Sequence, residues 1–313
     1  MSLHDLILLV VIFSTAFLAV LFPDLWVIFR PYPVYFMMFL LFLSFMKIDF
    51  GVLLDTSPRA MLGLGKLVLI KLVVLPTVLY WICLWIIPDY AVPVLLLSGI
   101  STGVVAPFMA TLINAEVSQV ARMTVVTSIL VPISLPGLVK LLIGADISIP
   151  LELMVRMLAL VIFMPIAVVL FMRKLLPGLL HAMDALGFPL SLATFAAINF
   201  GVFSQYSSFF YQNAGQILVA VGLAHILSVI YYFVGFAVTP REKQGDRLAA
   251  GASLAMINNV LVIVFSSGFF GPLCPTLAAM YVFPFFTMIV PVKLTLKYTG
   301  LLSTQTPCEG EVE

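Results

Sequence analysis

Two polar segments in an otherwise apolar chain carry residues that can bind a ligand. The first, residues 98–109, holds a cluster of Gly, Ser and Thr followed by Pro107. The second, residues 251–259, ends in two adjacent amides, Asn258 and Asn259. Proline removes a backbone hydrogen bond and clashes with the preceding turn, and a buried asparagine is costly unless it finds partners. We therefore expect both segments to interrupt their helices, the first near Ala106–Pro107 and the second near Asn258–Asn259.

The same two segments are related by a sparse internal repeat. Residues 99–132 are echoed 152 positions later by residues 251–284, and residues 48–52 recur at an offset of 150. Each match is weak against an apolar background, but together they indicate two related halves. In a membrane protein, polar or broken segments at corresponding positions of two halves point to the binding site. The matched pairs are Gly99–Gly251, Ser101–Ser253, Thr124–Thr276 and Pro132–Pro284.

The composition is that of a membrane protein. Apolar residues make up 63% of the chain and charged residues 9%, and the mean hydropathy is +1.21. A soluble domain is about half apolar and a quarter charged. The net charge of +1 predicts no nucleic-acid partner, and the three cysteines are too few for a disulfide or metal framework. We expect the lipid bilayer as the partner, a monomer, and no cofactor.

Hydropathy and turn residues predict ten membrane-spanning helices, joined by short connections. They divide into a first repeat over 1–145, a second repeat over 146–300 and a disordered cytoplasmic tail over 301–313. The predicted spans are 5–22, 32–47, 66–87, 91–113, 117–142, 151–172, 186–206, 214–239, 247–270 and 273–296.

Positive charge sets the orientation, because Lys and Arg accumulate on the cytoplasmic side. With the N-terminus inside, eleven cations fall at the inner face and three at the outer face, and Lys71 is expected to extend its stem inward. Both termini are then cytoplasmic, in a multi-pass protein of a plasma membrane or bacterial inner membrane. Five spans per half is an odd number, so the second half must be inverted. The inner cations are Lys47, Arg59, Lys66, Arg122, Arg173, Lys174, Arg241, Lys243, Arg247, Lys293 and Lys297, and the outer ones are Arg30, Lys140 and Arg156.

Three stretches resemble the bile acid:sodium symporter family. Residues 37–50 (Met-Met-Phe-Leu-Leu-Phe-Leu-Ser-Phe-Met-Lys-Ile-Asp-Phe) resemble the end of that family's second helix. Residues 107–112, continuing through Thr124, Thr127, Ser128 and Pro132, are similar to its fourth and fifth helices. Met256-Ile257-Asn258-Asn259 is similar to the Met-Gln-Asn-Ser of its ninth helix.

This resemblance implies an all-α fold of ten transmembrane helices in two inverted five-helix repeats. Spans 1, 2, 6 and 7 would form a panel domain and spans 3–5 and 8–10 a core domain, with helices 4 and 9 broken and crossing. The implied activity is transport of a small organic anion by alternating access at this crossing. The implied substrate-binding residues are Pro107, Thr111, Asn199, Asn258 and Asn259. For Asn199, a solvated helix end is an equal alternative.

The sodium sites of the family are largely replaced. Ala106 and Pro107 stand where the family has a Ser-Asn pair, and Ser253 stands where it has a Glu. The remaining candidates for ion binding are Thr124, Ser253 and Asn258. Every Asp and Glu lies in a predicted loop or near a helix end, so no mid-membrane carboxylate is available. We therefore expect weak or absent Na⁺ binding.

Two other classes of function stay open. One is a weak-acid exporter resembling the auxin efflux carriers, which share crossing broken helices. The other is a membrane protein that does not transport, such as a sensor. An enzyme is not expected, because no metal-ligating or nucleophile–base constellation is present. His225, in span 8, could carry a proton, although a hydrogen bond to a neighbouring helix is the commoner explanation.

Overall fold

A computed structural model describes residues 3–48, 58–144, 151–239 and 243–287, and most of these residues are helical. Within these ranges the only β-type pairing is an isolated antiparallel bridge between Thr102 and Ile257. The α-helices are α1 Leu3–Leu21, α2 Pro33–Phe45, α3 Pro58–Leu69, α4 Leu75–Ile86, α5 Ala91–Gly99, α6 Ala106–Leu112, α7 Val117–Ile143, α8 Leu151–Leu175, α9 Pro177–Ala185, α10 Gly187–Phe203, α11 Ser207–Gln212, α12 Ala214–Val238, α13 Gln244–Ala255, α14 Asn259–Phe269, α15 Leu273–Met280 and α16 Val282–Thr287.

Several of these helices are long and apolar enough to cross a membrane, which makes this an integral membrane protein. By length and composition, the described residues contain five such helices, with a sixth if the pair Val10–Leu21 and Pro23–Phe29, bent by 112°, is one span. The five correspond to predicted spans 3, 5, 6, 7 and 8. Predicted spans 2, 4, 9 and 10 are short or interrupted helices here. The end of span 10 and the predicted tail over 301–313 lie outside the described residues.

The helix that forms predicted span 3 contains a π-turn. Helices α3 and α4 are continuous through Ile70–Val74, where the Leu75 N–H bonds to the Ile70 carbonyl, five residues earlier. Pro76 follows directly and has no N–H to donate, so carbonyls in the preceding turn cannot be bonded in the usual α-helical pattern. Single π-turns inside α-helices occur frequently at functional sites. This one carries Lys71.

The described helices pack in two groups. One group consists of α1, α2, α8 and α10, in which α1 packs on α10, α10 on α2 and α2 on α8. The other consists of α4, α5, α7, α12, α13 and α15, and within it α12 contacts α13 and α15 contacts α5. Helix α14 touches α2, α8 and α10 of the first group as well as α15 and α5 of the second. The second broken helix therefore reaches the first group through α14, and α7 also joins the two groups by contacting α8.

Candidate functional site

Two interrupted helices meet through their backbones. Helix α5 stops at Gly99 and α6 starts at Ala106, while α13 stops at Ala255 and α14 starts at Asn259. Between them the Gly103 N–H donates to the Met256 carbonyl at 2.7 Å, and the Asn258 N–H donates to the Ser101 carbonyl at 3.0 Å. The prediction that these two segments are broken and touch each other is confirmed.

The first interruption lies earlier in the chain than Ala106–Pro107. It covers residues 100–105, and Pro107 stands in the first turn of α6 rather than in the break. Proline is tolerated at that position because the N–H that it lacks would have no intrahelical acceptor. Pro107 therefore starts the second half-helix.

The register of the crossing also differs from that of the sequence repeat. The residue 152 positions after Thr102 is Leu254, but Thr102 is bridged to Ile257, three residues further along. As a result Ser253 lies inside α13 rather than in the break. The sparse matches predicted which two segments are interrupted but not which of their residues pair at the contact.

A glycine allows the close approach of the two backbones. A Cβ atom added at Gly103 would lie 2.8 Å from the Ile257 carbonyl oxygen and 3.1 Å from its carbonyl carbon. Both are backbone atoms, so neither could rotate away. Glycine is used where a backbone must come this close to another.

Hydroxyl groups of α7 form hydrogen bonds with the backbone of the first break. Thr127 Oγ1 accepts a hydrogen bond from the Thr102 N–H at 3.0 Å. Thr124 Oγ1 is 3.0 Å from the Val120 carbonyl of its own helix and 3.4 Å from the Gly103 carbonyl in the break. Thr124, one of the predicted ion-binding residues, is therefore fully buried beside the crossing, and its hydroxyl proton is already donated to a carbonyl.

Two serines at the crossing have hydroxyl groups without a partner. Ser101 and Ser253 are fully buried, and neither side-chain oxygen has a hydrogen-bond partner among the described residues. The Ser253 carbonyl accepts from Thr102 Oγ1 at 2.7 Å, so Ser253 belongs to the crossing even though it lies within α13. Unpaired buried hydroxyls are costly unless a ligand or water satisfies them.

The two predicted asparagines at the second break are engaged by the protein itself. Asn258 Oδ1 accepts from the Leu261 N–H at 3.2 Å, capping the N-terminus of α14. Asn259 Nδ2 donates to the Ala278 carbonyl of α15 at 3.2 Å. Both side chains are buried at the crossing.

The other two predicted substrate-binding residues are not brought next to the bridge. Asn199, in α10, is buried, and its Nδ2 donates to the Ile12 carbonyl and to Thr15 Oγ1, both at 2.9 Å. These bonds tie α10 to α1, so the solvated helix end considered for Asn199 is wrong. Thr111 is exposed near the end of α6.

Lys71 is the residue that sequence reasoning misplaced. The expectation that its side chain extends to the inner face is wrong, because Lys71 is fully buried. Its ammonium donates to the Ser98 carbonyl of α5 at 3.1 Å and to the Leu254 carbonyl of α13 at 3.3 Å. The Tyr231 ring centroid is 5.3 Å from Nζ. The signal was present in the sequence: a charge in an uninterrupted apolar run is by default a functional-site hypothesis.

The acceptors of Lys71 explain why it is held there. Ser98 and Leu254 lie in the last turns of α5 and α13, where backbone carbonyls have no intrahelical donor. The negative end of each helix dipole is also directed at this point, which favours a cation. A single ammonium therefore binds the C-terminal ends of both interrupted helices.

Two tyrosines complete the surroundings of Lys71. The Tyr231 hydroxyl lies 2.7 Å from Ser98 Oγ, and the Tyr281 hydroxyl donates to the Ala255 carbonyl at 2.8 Å. The centroids of the two tyrosine rings are 5.9 Å apart. Tyr231 is fully buried.

His225 does not take part in this site. Its side chain is exposed, and Nδ1 lies 2.8 Å from the Val221 carbonyl, one turn earlier in the same helix. The expected bond to a neighbouring helix is therefore wrong. No group of three or more His, Cys, Asp or Glu side chains is placed to hold a metal ion within the described part of the chain.

Comparison with known proteins adds no family assignment. Neither the protein-family models nor the curated proteins give a match to this chain. The geometry of the crossing therefore carries the functional argument.

Proposed function

We propose that this protein is a secondary transporter of a small organic anion, and that the anion binds at the crossing of the two interrupted helices. The observation that carries the proposal is the backbone pairing of residues 101–103 with residues 256–258. Non-helical backbone at membrane depth is tolerated only where it is buried in protein or lines a cavity, and in transporters it forms the binding site.

The preference for an anion rests on the groups that remain unpaired at the crossing. The first-turn N–H groups of α14 at Asn259 and Val260 have no intrahelical acceptor, and the positive end of the α14 dipole lies there. The unpaired hydroxyls of Ser101 and Ser253 add hydrogen-bond donors. A carboxylate can accept from both kinds of donor.

The packing supports an alternating-access arrangement of ten spans in two inverted halves. The grouping of α1, α2, α8 and α10 apart from most helices around the crossing supports a panel and a core of the kind that the resemblance implies. Two cationic side chains predicted for the cytoplasmic face contact helix ends predicted for the same face. Arg173 donates to the Met46 carbonyl after α2 at 3.0 Å, and Lys66 donates to the Val238 carbonyl at the end of α12 at 3.0 Å. Arg30, expected on the opposite face, contacts Ser204. Both termini are proposed to be cytoplasmic.

The test is uptake by proteoliposomes containing the purified protein. Radiolabelled taurocholate, pyruvate and indole-3-acetate would be offered with and without an inward Na⁺ gradient, with protein-free liposomes as the control. We expect saturable uptake of at least one anion that does not depend on Na⁺. Uptake of indole-3-acetate alone would favour the weak-acid exporter. No saturable uptake of any of the three by correctly folded protein would contradict the transport proposal.

A further inference from the structure

Among the described residues, no carboxylate contacts the Lys71 ammonium. Its partners in the described part of the chain are two backbone carbonyls and one aromatic face. Burying an unpaired charge is expensive, and ionisable residues inside membranes commonly mark ion or proton pathways. A residue needed only for packing could be an apolar side chain of similar length at much lower cost.

The ammonium is bound by the kind of backbone groups that bind cations in other transporters. Backbone carbonyls at the C-terminal ends of half-helices are the groups that coordinate cations in transporters with broken helices. Here the carbonyls of Ser98 and Leu254 come from the two different interrupted helices, and Lys71 reaches both from a third. The protein thus supplies the cation covalently, on a side chain that can lose its charge.

We propose that Lys71 is a proton-binding site at the helix crossing and that proton release from it is coupled to opening of the crossing. This inference deepens the proposed transport function, and the coupling of proton release to transport rests on that function. In the step, an Nζ–H bond breaks, its electron pair stays on nitrogen, and the proton passes to water. The neutral amine is then attracted less strongly to the two carbonyls and to the helix dipoles. The C-terminal ends of α5 and α13 are free to separate.

Few other titratable groups face Lys71. Helix α12 contributes Tyr231, α4 contributes Cys83 close to Tyr231, and Tyr281 lies beyond the Tyr231 ring. Helix α5 contains no titratable residue. The charged residues of α7 and α13 lie towards their ends, and the Lys66 ammonium of α3 is exposed and bonded to α12. Lys71 is therefore the group among these whose charge changes without a tyrosinate or thiolate having to form.

The first measurement is hydrogen–deuterium exchange of purified protein across a pH series, without substrate. The reporter amides are Gly103 and Asn258, which form the bonds between the two breaks. We expect exchange in peptides covering 99–105 and 254–260 to rise about tenfold with pH beyond the intrinsic base-catalysed increase, because local opening sets the exchange rate. The rise marks loss of the ammonium proton.

The variants separate a proton site from a fixed charge. K71R keeps the charge at all accessible pH values, so the rise should disappear. K71M has no charge, so exchange should be fast at every pH. K66M, which removes an exposed lysine of the same continuous helix, should behave like the wild type. If K71M does not purify as folded protein, the comparison of K71R with the wild type decides. An equal pH-dependent rise in K71R and the wild type would overturn the proposal.

The second measurement tests coupling in proteoliposomes loaded with the pH-sensitive dye pyranine. Addition of the anion that the wild type accumulates, from taurocholate, pyruvate and indole-3-acetate, should move protons in the wild type and in K66M but not in K71R. Proton movement in K71R equal to that in the wild type would overturn the coupling. No uptake of any anion, together with a pH-dependent exchange that K71R abolishes, would contradict the transport function while supporting the proton site.

Discussion

The Lys71 ammonium and the Leu254 carbonyl are 3.3 Å apart, although 183 residues separate them in the chain. This bond joins the first half of the sequence to the second at the point where both broken helices end. The same ammonium also bonds to Ser98, so one side chain spans the crossing.

Gly103→Val should disrupt the crossing. The added Cβ would overlap the Ile257 carbonyl, whose atoms belong to the backbone, so the two breaks must move apart. Overpacking of this kind costs about 1–3 kcal/mol. We expect a lower melting temperature and loss of anion uptake. Gly137→Ala in α7 is the control, since nothing lies within 4 Å of its added Cβ, and it should keep both properties. Normal uptake by Gly103→Val would show that the backbone contact is not required.

Tyr231→Phe should weaken the site without removing the aromatic face over Lys71. The change deletes the hydroxyl that bonds to Ser98 Oγ and leaves the ring in place. One such hydrogen bond contributes about 1 kcal/mol. Thermal unfolding should show this loss. Tyr232→Phe is the matched control, because the Tyr232 hydroxyl has no hydrogen bond to another described residue, and it should leave stability nearly unchanged. An equal effect of both substitutions would argue against the Tyr231–Ser98 bond.

Asn199→Ala should lower stability without changing substrate affinity. Asn199 donates two bonds to α1, and interhelical hydrogen bonds in membranes contribute about 0.6–1.7 kcal/mol each. The measurements are the melting temperature and the KM for the transported anion. Asn213→Ala is the control, because Asn213 bonds only to a carbonyl of its own turn. A raised KM at normal stability would instead support the sequence-based assignment of Asn199 to substrate binding.

Sodium should not stabilise the protein specifically. Lys71 already places a positive charge at the half-helix ends, and Asn258 Oδ1 already accepts one hydrogen bond, from the Leu261 N–H. Hard cations also favour charged oxygen ligands, and Ser253 supplies a neutral one. We expect equal melting temperatures in NaCl, KCl and choline chloride. A saturable rise in NaCl that Asn258→Ala abolishes would contradict this prediction.

The two ends of the helical bundle should label from opposite sides of the membrane. Single cysteines would be placed at Gly144, in the segment after α7, and at Lys243, directly before α13, in a background lacking the native cysteines. Both positions are exposed. The excess of cations on one side predicts that Lys243→Cys labels from the cytoplasm and Gly144→Cys from outside. Labelling of both from one side would exclude the proposed topology.

Hydropathy and residue type along the chain are enough to predict the membrane class, most helix positions and the presence of two interruptions. These follow from local physics: an apolar run must be helical in lipid, and a Gly, Ser and Thr cluster or a pair of asparagines weakens a helix. Pro107, which the sequence placed in the first break, instead begins the helix after it. Helices Val117–Ile143 and Ala214–Val238 accordingly begin and end close to the bounds of the predicted spans 117–142 and 214–239.

Long-range packing sets how the two interruptions meet and which charged side chain lies between them. The bridge of Thr102 to Ile257 depends on how two distant backbones approach at Gly103, which a sparse repeat with a different offset does not encode. The burial of Lys71 depends on carbonyls of α5 and α13, far away in sequence, being left without donors at the same point in space. A lysine in an apolar run can extend to the interface or be buried, and long-range packing alone selects between them, because only the folded chain brings its acceptors within reach.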